Sequence, residues 1–195
     1  MKNLSPILLI LYWLYQSLAW AAATCNSNIP ESTPSAAFNL TATDGTVVHN
    51  PTGLIWSRCA LGQTWNQGTL NCDNAATTHT WVQALTEANN STLAGFTDWR
   101  LPNLKEFSSI VERKCVNPTI NESAFPATPS SFFWSASAFA NGSVGAWVVV
   151  FNFGFDSFDF KFNTNQVRLV RGGQLFDSFD INQTYTVGGM VSGLD

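Results

Sequence analysis

The sequence predicts an α+β domain in which two short helices pack on antiparallel strands, with disulfides as braces. Segments 80–90 and 102–114 place their apolar residues at helical spacing. Residues 151–155 alternate Phe with Asn and Gly, which is the period of a half-buried β-strand. Four cysteines follow a secretory signal, and exported proteins commonly form disulfides.

The first 23 residues have the pattern of a secretory signal peptide. Lys2 precedes the apolar run 7–14, which is too short to span a membrane. The small residues Ala21 and Ala23 fit cleavage after position 23. We therefore expect an exported protein, in the periplasm, at the outer surface or outside the cell, with no membrane span in its mature chain.

The mature chain is acidic. Removal of the signal peptide takes away Lys2 and leaves eight Lys and Arg against thirteen Asp and Glu. The sequence has no run of basic residues, so a nucleic-acid partner is excluded.

All four cysteines, Cys25, Cys59, Cys72 and Cys115, follow the signal peptide, and they allow three pairings. We favour Cys59–Cys72, which closes a short Gly-rich loop, and Cys25–Cys115, which ties down the N-terminus. Each bridge contributes roughly 2–4 kcal/mol. One alternative is a lipidated Cys25, which leaves an odd thiol. The other is a zinc site, for which the chain lacks a close cysteine pair.

Residues 24–37 are polar with two prolines and are expected to form an extended N-terminal arm. The predicted domain occupies residues 38–174. Its first short strands lie within 38–56, around the turn at Asp44-Gly45. A further strand is expected at 132–137.

The first predicted helix, 80–90, has Thr80 as its N-cap. Its buried face consists of Trp81, Leu85 and Ala88. The second, 102–114, has proline in its first turn. Its buried stripe consists of Leu104, Phe107, Ile110 and Val111.

Residues 175–195 change character. They are predicted to be a linker or the opening of a truncated β-rich repeat, because the last eleven residues are too few to fold alone.

The segment 148–165 has an unusual composition, since six of its eighteen residues are Phe and Lys161 is its only cation. Phe151, Phe153 and Phe155 share one strand face. The phase flips at Asp156-Ser157, where we predict a turn or bulge. The opposite phase then holds Phe158, Phe160 and Phe162.

Phe residues usually pack in a core, and core packing is one interpretation of this series. However, eleven of the fifteen Phe follow residue 131, which is more than a small sheet easily hides. An exposed cluster of this size is typical of a binding face. We predict that the largely exposed residues are Phe153, Phe155, Phe158, Phe160 and Phe162.

Several segments together resemble one protein family. They are TGLIWSRCALGQTW (52–65), the helix with Trp81, GFTDWRLPNLKEFSSIV (95–111), INESAFPATP (120–129), FWSAS (133–137) and VRLVRGG (167–173). Over residues 38–174 the chain resembles the C-terminal domain of the Legionella collagen-like adhesin. The resemblance implies a C-type-lectin-like fold, related in architecture to the formylglycine-generating enzymes.

A narrower resemblance concerns residues 138–171, which are similar to the variable region of a target protein of a diversity-generating retroelement. There, randomised template adenines turn Asn codons into a set that includes Phe, Ser, Val, Asp, Gly, Thr and Asn. Every residue of 148–165 except Lys161 belongs to that set.

The retroelement resemblance implies a variable segment at 138–165. It implies that the scaffold positions are Trp147, Val149, Phe151, Gly154, Asp156, Lys161 and the strand 167–173. Before residue 148 the implied diversified positions are Asn141, Gly142, Val144 and Gly145. After it, the diversified and ligand-binding positions are Val148, Val150, Asn152, Phe153, Phe155, Ser157, Phe158, Asp159, Phe160, Phe162, Asn163, Thr164 and Asn165.

Other candidate sites favour structural interpretations. For Asp98-Trp99-Arg100 we expect a core Trp99 with an ion pair that fixes the loop, rather than a binding or catalytic pair. The core is also expected to hold Trp56, Trp65, Trp81 and Trp134. Asp156 and Asp159 are too few carboxylates for a calcium site, and the Glu-Pro-Asn motif of sugar-binding lectins is absent.

We expect no metal, no cofactor and no catalytic residue. His49 and His79 have no neighbouring acid or nucleophile in the sequence and are expected at the surface or in turns.

Together these features predict an exported ligand-binding protein that displays a diversified Phe-rich face on a fixed scaffold. The partner is an unknown surface protein or glycan. One alternative is an adhesin for glycans, including sulfated polysaccharide, without diversification, although an acidic domain suits polyanions poorly. An alternative of another class is an enzyme related to the formylglycine-generating fold, which requires reactive thiols.

Overall fold

A computed structural model describes residues 22–140 and 142–172. The predicted signal peptide up to residue 21, Asn141 and the predicted C-terminal segment 175–195 lie outside the described residues. The described chain is mostly sheet with two short helices and two disulfides, which confirms the α+β, disulfide-braced class. The C-type-lectin-like topology stays a prediction from the resemblance. No helix among the described residues is long and apolar enough to cross a membrane.

The strands are short, and two of them carry the Phe series. In chain order they are β1 (Thr24–Cys25), β2 (Phe38–Asn39), β3 (Thr46–His49), β4 (Leu54–Ser57), β5 (Thr64–Asn66), β6 (Asn71–Asp73), β7 (Thr78–His79), β8 (Cys115–Val116), β9 (Phe132–Ala138), β10 (Gly145–Val150), β11 (Phe155–Phe160), β12 (Asn165–Gln166) and β13 (Val170–Arg171). The helices are α1 (Trp81–Asn89) and α2 (Leu104–Ser108), with 3₁₀ turns at Ser35–Ala37 and Leu93–Gly95.

Two main sheets organise the domain. The five-stranded sheet has the order β11-β10-β9-β12-β7, in which β12 runs parallel to β9 and the other neighbours are antiparallel. The four-stranded sheet has the order β13-β4-β3-β2 and is antiparallel throughout. The pairs β1-β8 and β5-β6 form small separate ribbons.

Strand β10 separates two hydrophobic clusters. Val149 of β10 and Phe151, which comes directly after the strand, pack in the first cluster with Trp56, Phe107 and Phe133. The second cluster consists of Ala84, Ala88, Trp99, Leu101, Trp134, Ala146, Val148, Val150, Val167 and Leu169. Because both faces of β10 are covered, its sequence is almost uniformly apolar, as is typical of a central strand.

Local sequence determines where both helices begin. Thr80 caps α1 and Gln83 completes its capping box, which confirms the predicted start. Helix α2 is capped in the same way by Asn103 and Glu106, but it ends at Ser108. The prediction of a helix over 102–114 was therefore too long at both ends, because Pro102 precedes the N-cap and lies outside the helix.

Residues beyond α2 leave the helix because they pair elsewhere. Val111 forms an antiparallel bridge with Ile120 instead of continuing the helix, and both are buried. Ile110 is buried as predicted, although it lies outside the helix.

The disulfides are Cys25–Cys115 and Cys59–Cys72, the pairing that we favoured. The first holds β1 of the N-terminal arm against β8. All four cysteines of the chain are thus paired.

Glu112 provides a second attachment for the arm. Its buried carboxylate accepts hydrogen bonds from the amides of Ser32 and Thr33 at 3.0 and 2.7 Å, and from the amide of Lys114 at 2.9 Å. The arm therefore packs on the domain.

Trp99 anchors the loop before α2, as predicted. Its ring lies in the second cluster and its Nε1 donates to the Leu93 carbonyl at 2.9 Å. The flanking charges do not pair with each other, contrary to the prediction. Asp98 instead accepts from Arg171 at 2.6 Å, and Arg100 pairs with Glu106 at 2.6 Å.

Trp56 and Trp134 are fully buried, as predicted, and Trp81 packs at the edge of the second cluster. Trp65 differs from the prediction because it is only half-buried. Its indole lies under the Arg58 guanidinium, 4.0 Å from ring centroid to Cζ.

The burial of Trp99 makes Trp99→Ala a strongly destabilising change. We expect it to lower the free energy of unfolding by about 3–5 kcal/mol, measured by urea denaturation, because it empties a packed site and removes an indole hydrogen bond. Val82→Ala, on the exposed side of α1, is the control and should change it by less than about 0.5 kcal/mol. Equal stability of the two variants would contradict this placement.

Acid should weaken the attachment of the arm. Burial raises the pKa of Glu112, but hydrogen bonds from Ser32, Lys114 and Thr33 outweigh it, so that this pKa lies below the ordinary value of 4.5. The carboxylate thus stabilises the fold above pH 4.5, and this contribution is lost as pH falls through the lowered pKa.

We expect the free energy of unfolding to fall less steeply below pH 4.5 in Glu112→Gln than in the parent. Urea denaturation at a series of pH values measures this slope. Glu87→Gln, on the exposed face of α1, should keep the parent slope. A parent slope in Glu112→Gln would show that Glu112 does not carry the effect.

Candidate ligand-binding surface

The Phe series lies on the β10–β11 hairpin, whose turn spans residues 151–154. The prediction of a turn at Asp156-Ser157 was wrong. Both residues lie inside β11, opposite Val149 and Val148. The chain turns earlier because Gly154 adopts a φ of +76° and sits against Val111. A Cβ at that glycine would lie 2.9 Å from Val111 Cγ1.

Five Phe side chains of this hairpin and the segment after it are exposed to solvent. They range from 44% exposed at Phe160 to 71% at Phe162, and they are the five predicted: Phe153, Phe155, Phe158, Phe160 and Phe162. The phase flip places Phe155 and Phe158 on opposite faces of β11.

Five aromatic residues form a continuous surface, which we call the aromatic ridge: Phe139, Trp147, Phe158, Phe160 and Phe162. Trp147 and Phe158 are directly opposite in the β10–β11 register. Phe139 stacks on Phe158 with ring centroids 4.5 Å apart and meets Trp147 edge-on at 5.3 Å. Phe160 contacts Phe158 at 6.4 Å and stacks on Phe162 at 5.3 Å.

A second aromatic group lies at the tip of the hairpin. Phe153 and Phe155 have nearly parallel rings with centroids 6.3 Å apart. We call them the tip pair.

Three predicted ligand-binding residues are buried. Val148 and Val150 lie in the second cluster and are at most 2% exposed. Asn165 is also buried and donates to Asp159. A ligand on the surface does not reach these side chains, so we withdraw them from the site. The almost uniformly apolar sequence of β10 is the signal that could have indicated burial on both faces.

Asp159 shapes the chain after β11. Its carboxylate accepts from the Phe160 amide at 2.8 Å, from Asn163 Nδ2 at 2.7 Å and from Asn165 Nδ2 at 2.8 Å. These bonds hold the turn from which Phe162 projects. Of the other predicted site residues, Asn163 and Thr164 are exposed, while Asn152 and Ser157 are half-buried.

The ridge face carries a negative charge at Asp156. Asp156 lies on the same face of β11 as Phe158 and forms no ion pair within the described chain. Lys161 is directed elsewhere. Its Nζ donates to the Ser143 carbonyl at 2.8 Å and lies 4.4 Å from the Trp81 ring centroid.

The two Asp of β11 do not converge on a cation. Asp156 and Asp159 are three residues apart on a strand, so they lie on opposite faces. Within residues 22–140 and 142–172, no three His, Cys, Asp or Glu side chains are grouped to hold a metal ion.

The histidines make local contacts. His49 is buried beside Phe38, contrary to the expected surface or turn position, and its Nδ1 lies 2.8 Å from Thr52 Oγ1. Burial lowers its pKa, so it is neutral at pH 7. His79 Nε2 lies 2.8 Å from Thr77 Oγ1.

Sequence reasoning missed three parts of this surface. Phe139 was not selected, and Trp147 and Asp156 were assigned to the scaffold. Their places depend on the register of β9, β10 and β11, and no local pattern in the sequence specifies that register.

The family model described as the Lcl C-terminal domain matches residues 45–171, which span β3 to β13 and contain the whole ridge. The chain belongs to this family. The predicted family resemblance is therefore confirmed, and no curated protein matches the chain.

Membership of the Lcl C-terminal domain family indicates a surface, adhesin-like protein. This is an adhesin-type domain family and not a known enzyme family. The two disulfides fit an exported protein, as expected for a member that acts at a surface.

Pairing of every cysteine leads to a simple test of the enzyme alternative. We expect titration of the native mature protein with a thiol-reactive chromogenic reagent to find no free thiol, before and after unfolding without reductant. Reduction should then release four thiols per chain. Two reactive thiols in the native protein would contradict the pairing and support thiol chemistry.

Proposed function

We propose that this member of the Lcl C-terminal domain family is an exported ligand-binding protein whose ligand contacts the aromatic ridge and the tip pair. The observation that carries the proposal is the exposure of five Phe on one hairpin whose other strand is buried on both faces. Phe155 of the tip pair projects from the other face of β11, so the continuous patch is the ridge, whose three exposed Phe offer about 300 Å² of apolar surface. A patch of that size on a monomer is typical of a binding site.

We propose further that a retroelement diversifies the exposed positions. The support is that the two strands of the hairpin differ in burial, since β10 packs in the core and β11 is largely exposed. The exposed side chains lie on β11 and just after it, so a change there leaves the two clusters intact. Among the described residues, the variable set is then reduced to its accessible members: Gly142, Val144, Asn152, Phe153, Phe155, Ser157, Phe158, Asp159, Phe160, Phe162, Asn163 and Thr164.

A protein ligand suits this surface better than a glycan. Phe rings offer apolar area but no hydrogen-bonding group, whereas a sugar requires many polar partners. Sulfated polysaccharide is disfavoured by Asp156 and by the diversion of Lys161 to Trp81 and Ser143. The enzyme alternative has no thiol available, since all four cysteines form disulfides.

The triple variant Phe158→Ser/Phe160→Ser/Phe162→Ser tests whether the Phe side chains of the ridge are exposed for binding or are needed for packing of the fold. Since exposed substitutions change stability by about 0.5 kcal/mol or less each, its melting temperature should stay within a few degrees of the parent. The matched core variant, Phe107→Ser/Phe133→Ser/Phe151→Ser, should not fold, because each site is fully buried and costs about 3 kcal/mol or more. Collapse of the ridge variant would contradict an exposed face.

Binding is tested on an array of purified cell-surface proteins and glycans, with the parent and the ridge variant applied in parallel. We expect hits among the proteins and their loss in the ridge variant, since large aromatics dominate interface energy. Hits confined to glycans would support the undiversified adhesin. Protein hits kept by the ridge variant would refute the proposed site.

Diversification has a test of its own at the DNA level. We expect a near-copy of the segment that encodes residues 138–171, with adenines at the variable positions, beside a reverse-transcriptase gene. A genomic locus without such a copy would refute diversification but would leave the ligand-binding surface in place.

A further inference from the structure

Strand β11 is an edge strand. In the five-stranded sheet it pairs with β10 on one side, and no strand of the described chain covers its other side. An edge strand presents backbone N–H and C=O groups to any extended chain that reaches it.

One hydrogen bond shows which β11 residues direct their backbone N–H and C=O groups away from β10. The Lys161 amide donates to the Val144 carbonyl across the hairpin at 2.8 Å. In an antiparallel ladder, bonded residues alternate with residues whose N–H and C=O point away. Hence Ser157 and Asp159 bond towards β10, whereas Asp156, Phe158 and Phe160 point towards the open edge.

Phe160 is already satisfied. Its amide donates to the Asp159 carboxylate at 2.8 Å and its carbonyl accepts from the Asn163 amide at 2.9 Å. The free edge therefore consists of four groups, the N–H and C=O of Asp156 and of Phe158. Within the described chain none of them has a hydrogen-bond partner.

Of the usual devices against edge association, β11 has only charge, in Asp156 and Asp159, which repels acidic strands but not basic ones. Strand β11 has six residues, contains no proline and no lysine, and is not covered by a described loop strand. Sheet edges are normally blunted by such devices against association. An open edge next to exposed aromatic rings suits the addition of a strand.

We propose that the open edge of β11 binds an extended segment of the ligand protein as an added antiparallel strand. This rests on the proposed function and specifies how the ligand docks. Residues of that segment opposite Asp156 and Phe158 exchange paired hydrogen bonds with them. Their side chains lie on the ridge face, because directly opposed residues share a face.

Charge defines the chemistry of the segment. The residue opposite Asp156 is Lys or Arg, since that carboxylate has no cation within the described chain. The residue opposite Phe158, two positions away, is apolar and contacts the ridge. The segment thus carries a basic and an apolar residue two apart.

Two other occupants lack that cation. A second copy would bring another β11, with two Asp and no Lys or Arg. The chain's own residues 174–195 contain no Lys or Arg, and residues 176–180 repeat the FDSFD sequence of 155–159. Either occupant would add negative charge beside Asp156, which is destabilising.

The experiment uses a capped pentapeptide, Lys-Thr-Val-Thr-Lys, as the probe. In the extended form its Lys and Val share one face and one hydrogen-bonding edge. N-methylation of the Val and both Lys amides removes the pairing edge, whereas N-methylation of the two Thr amides removes only the outer edge. The two methylated peptides have the same charges and side chains and are matched controls.

We expect the parent and the Thr-methylated peptide to bind the mature protein and to shift the amide NMR resonances of Asp156 and Phe158 more than that of Ser157. The Val/Lys-methylated peptide should bind at least roughly tenfold more weakly than the parent peptide, since it loses the paired hydrogen bonds. The Asp156→Lys variant should prefer the peptide Glu-Thr-Val-Thr-Glu, in which Glu replaces both Lys, over the parent peptide. That variant should fold normally, because Asp156 is exposed.

Equal affinity of the two methylated peptides would overturn strand addition, as would a parent peptide that shifts no β11 amide. Dimerisation in sedimentation velocity that buries the same amides would identify a second copy as the occupant and overturn the proposal. None of these results touches the array experiment. If the ridge variant loses its array hits but the two methylated peptides bind with equal affinity, strand addition at the β11 edge is refuted and the ligand-binding ridge is not.

Discussion

The structure depends on one buried charge, the guanidinium of Arg168. This side chain is fully buried and donates to the main-chain carbonyls of Ser57 and Arg58 and, at 2.8 Å, to Thr128 Oγ1. It also lies 4.8 Å from the ring centroid of Phe125. Burial lowers its pKa to about 9, so it stays protonated at neutral pH. Because no described carboxylate reaches it, hydrogen bonds from its two terminal nitrogens and the ring faces compensate part of its desolvation, while its buried Nε has no partner in the described chain.

Arg168 determines the path of the chain between the two clusters. Its neighbours Val167 and Leu169 pack in the second cluster, while its own head group lies among rings of the first. The segment is therefore fixed on both sides and carries the chain from β12 in one sheet to β13 in the other. Strand β10 is buried between the same clusters, so its position is equally constrained.

This rigidity explains how an exposed aromatic surface is tolerated. The exposed Phe of the ridge lie on β11 and directly after it, and the side chains of β11 contribute little to either cluster. The other two ridge residues, Phe139 and Trp147, pack beside them. A surface that is decoupled from the core can change its side chains at little cost in stability. The same position at the end of the sheet exposes the backbone of β11, so that aromatic area, one carboxylate and an open strand edge lie together.

The sequence by itself determined the features with local causes. The cap at Thr80 set the start of α1, the predicted export signal and the even cysteine count indicated disulfides, and the excess of Phe indicated exposure. Each follows from neighbouring residues or from composition. For the same reason the family was recognisable from the order of its motifs.

Only the tertiary structure decided which faces are covered. Val148 and Val150 were assigned to the site from the retroelement resemblance, although both faces of β10 are covered and these side chains belong to the core. The hairpin turn at 151–154 depends on the contact of Gly154 with Val111, forty-three residues away. The burial of Arg168, the inclusion of Phe139 in the ridge and the open edge of β11 likewise arise from contacts between distant segments, which no local pattern encodes.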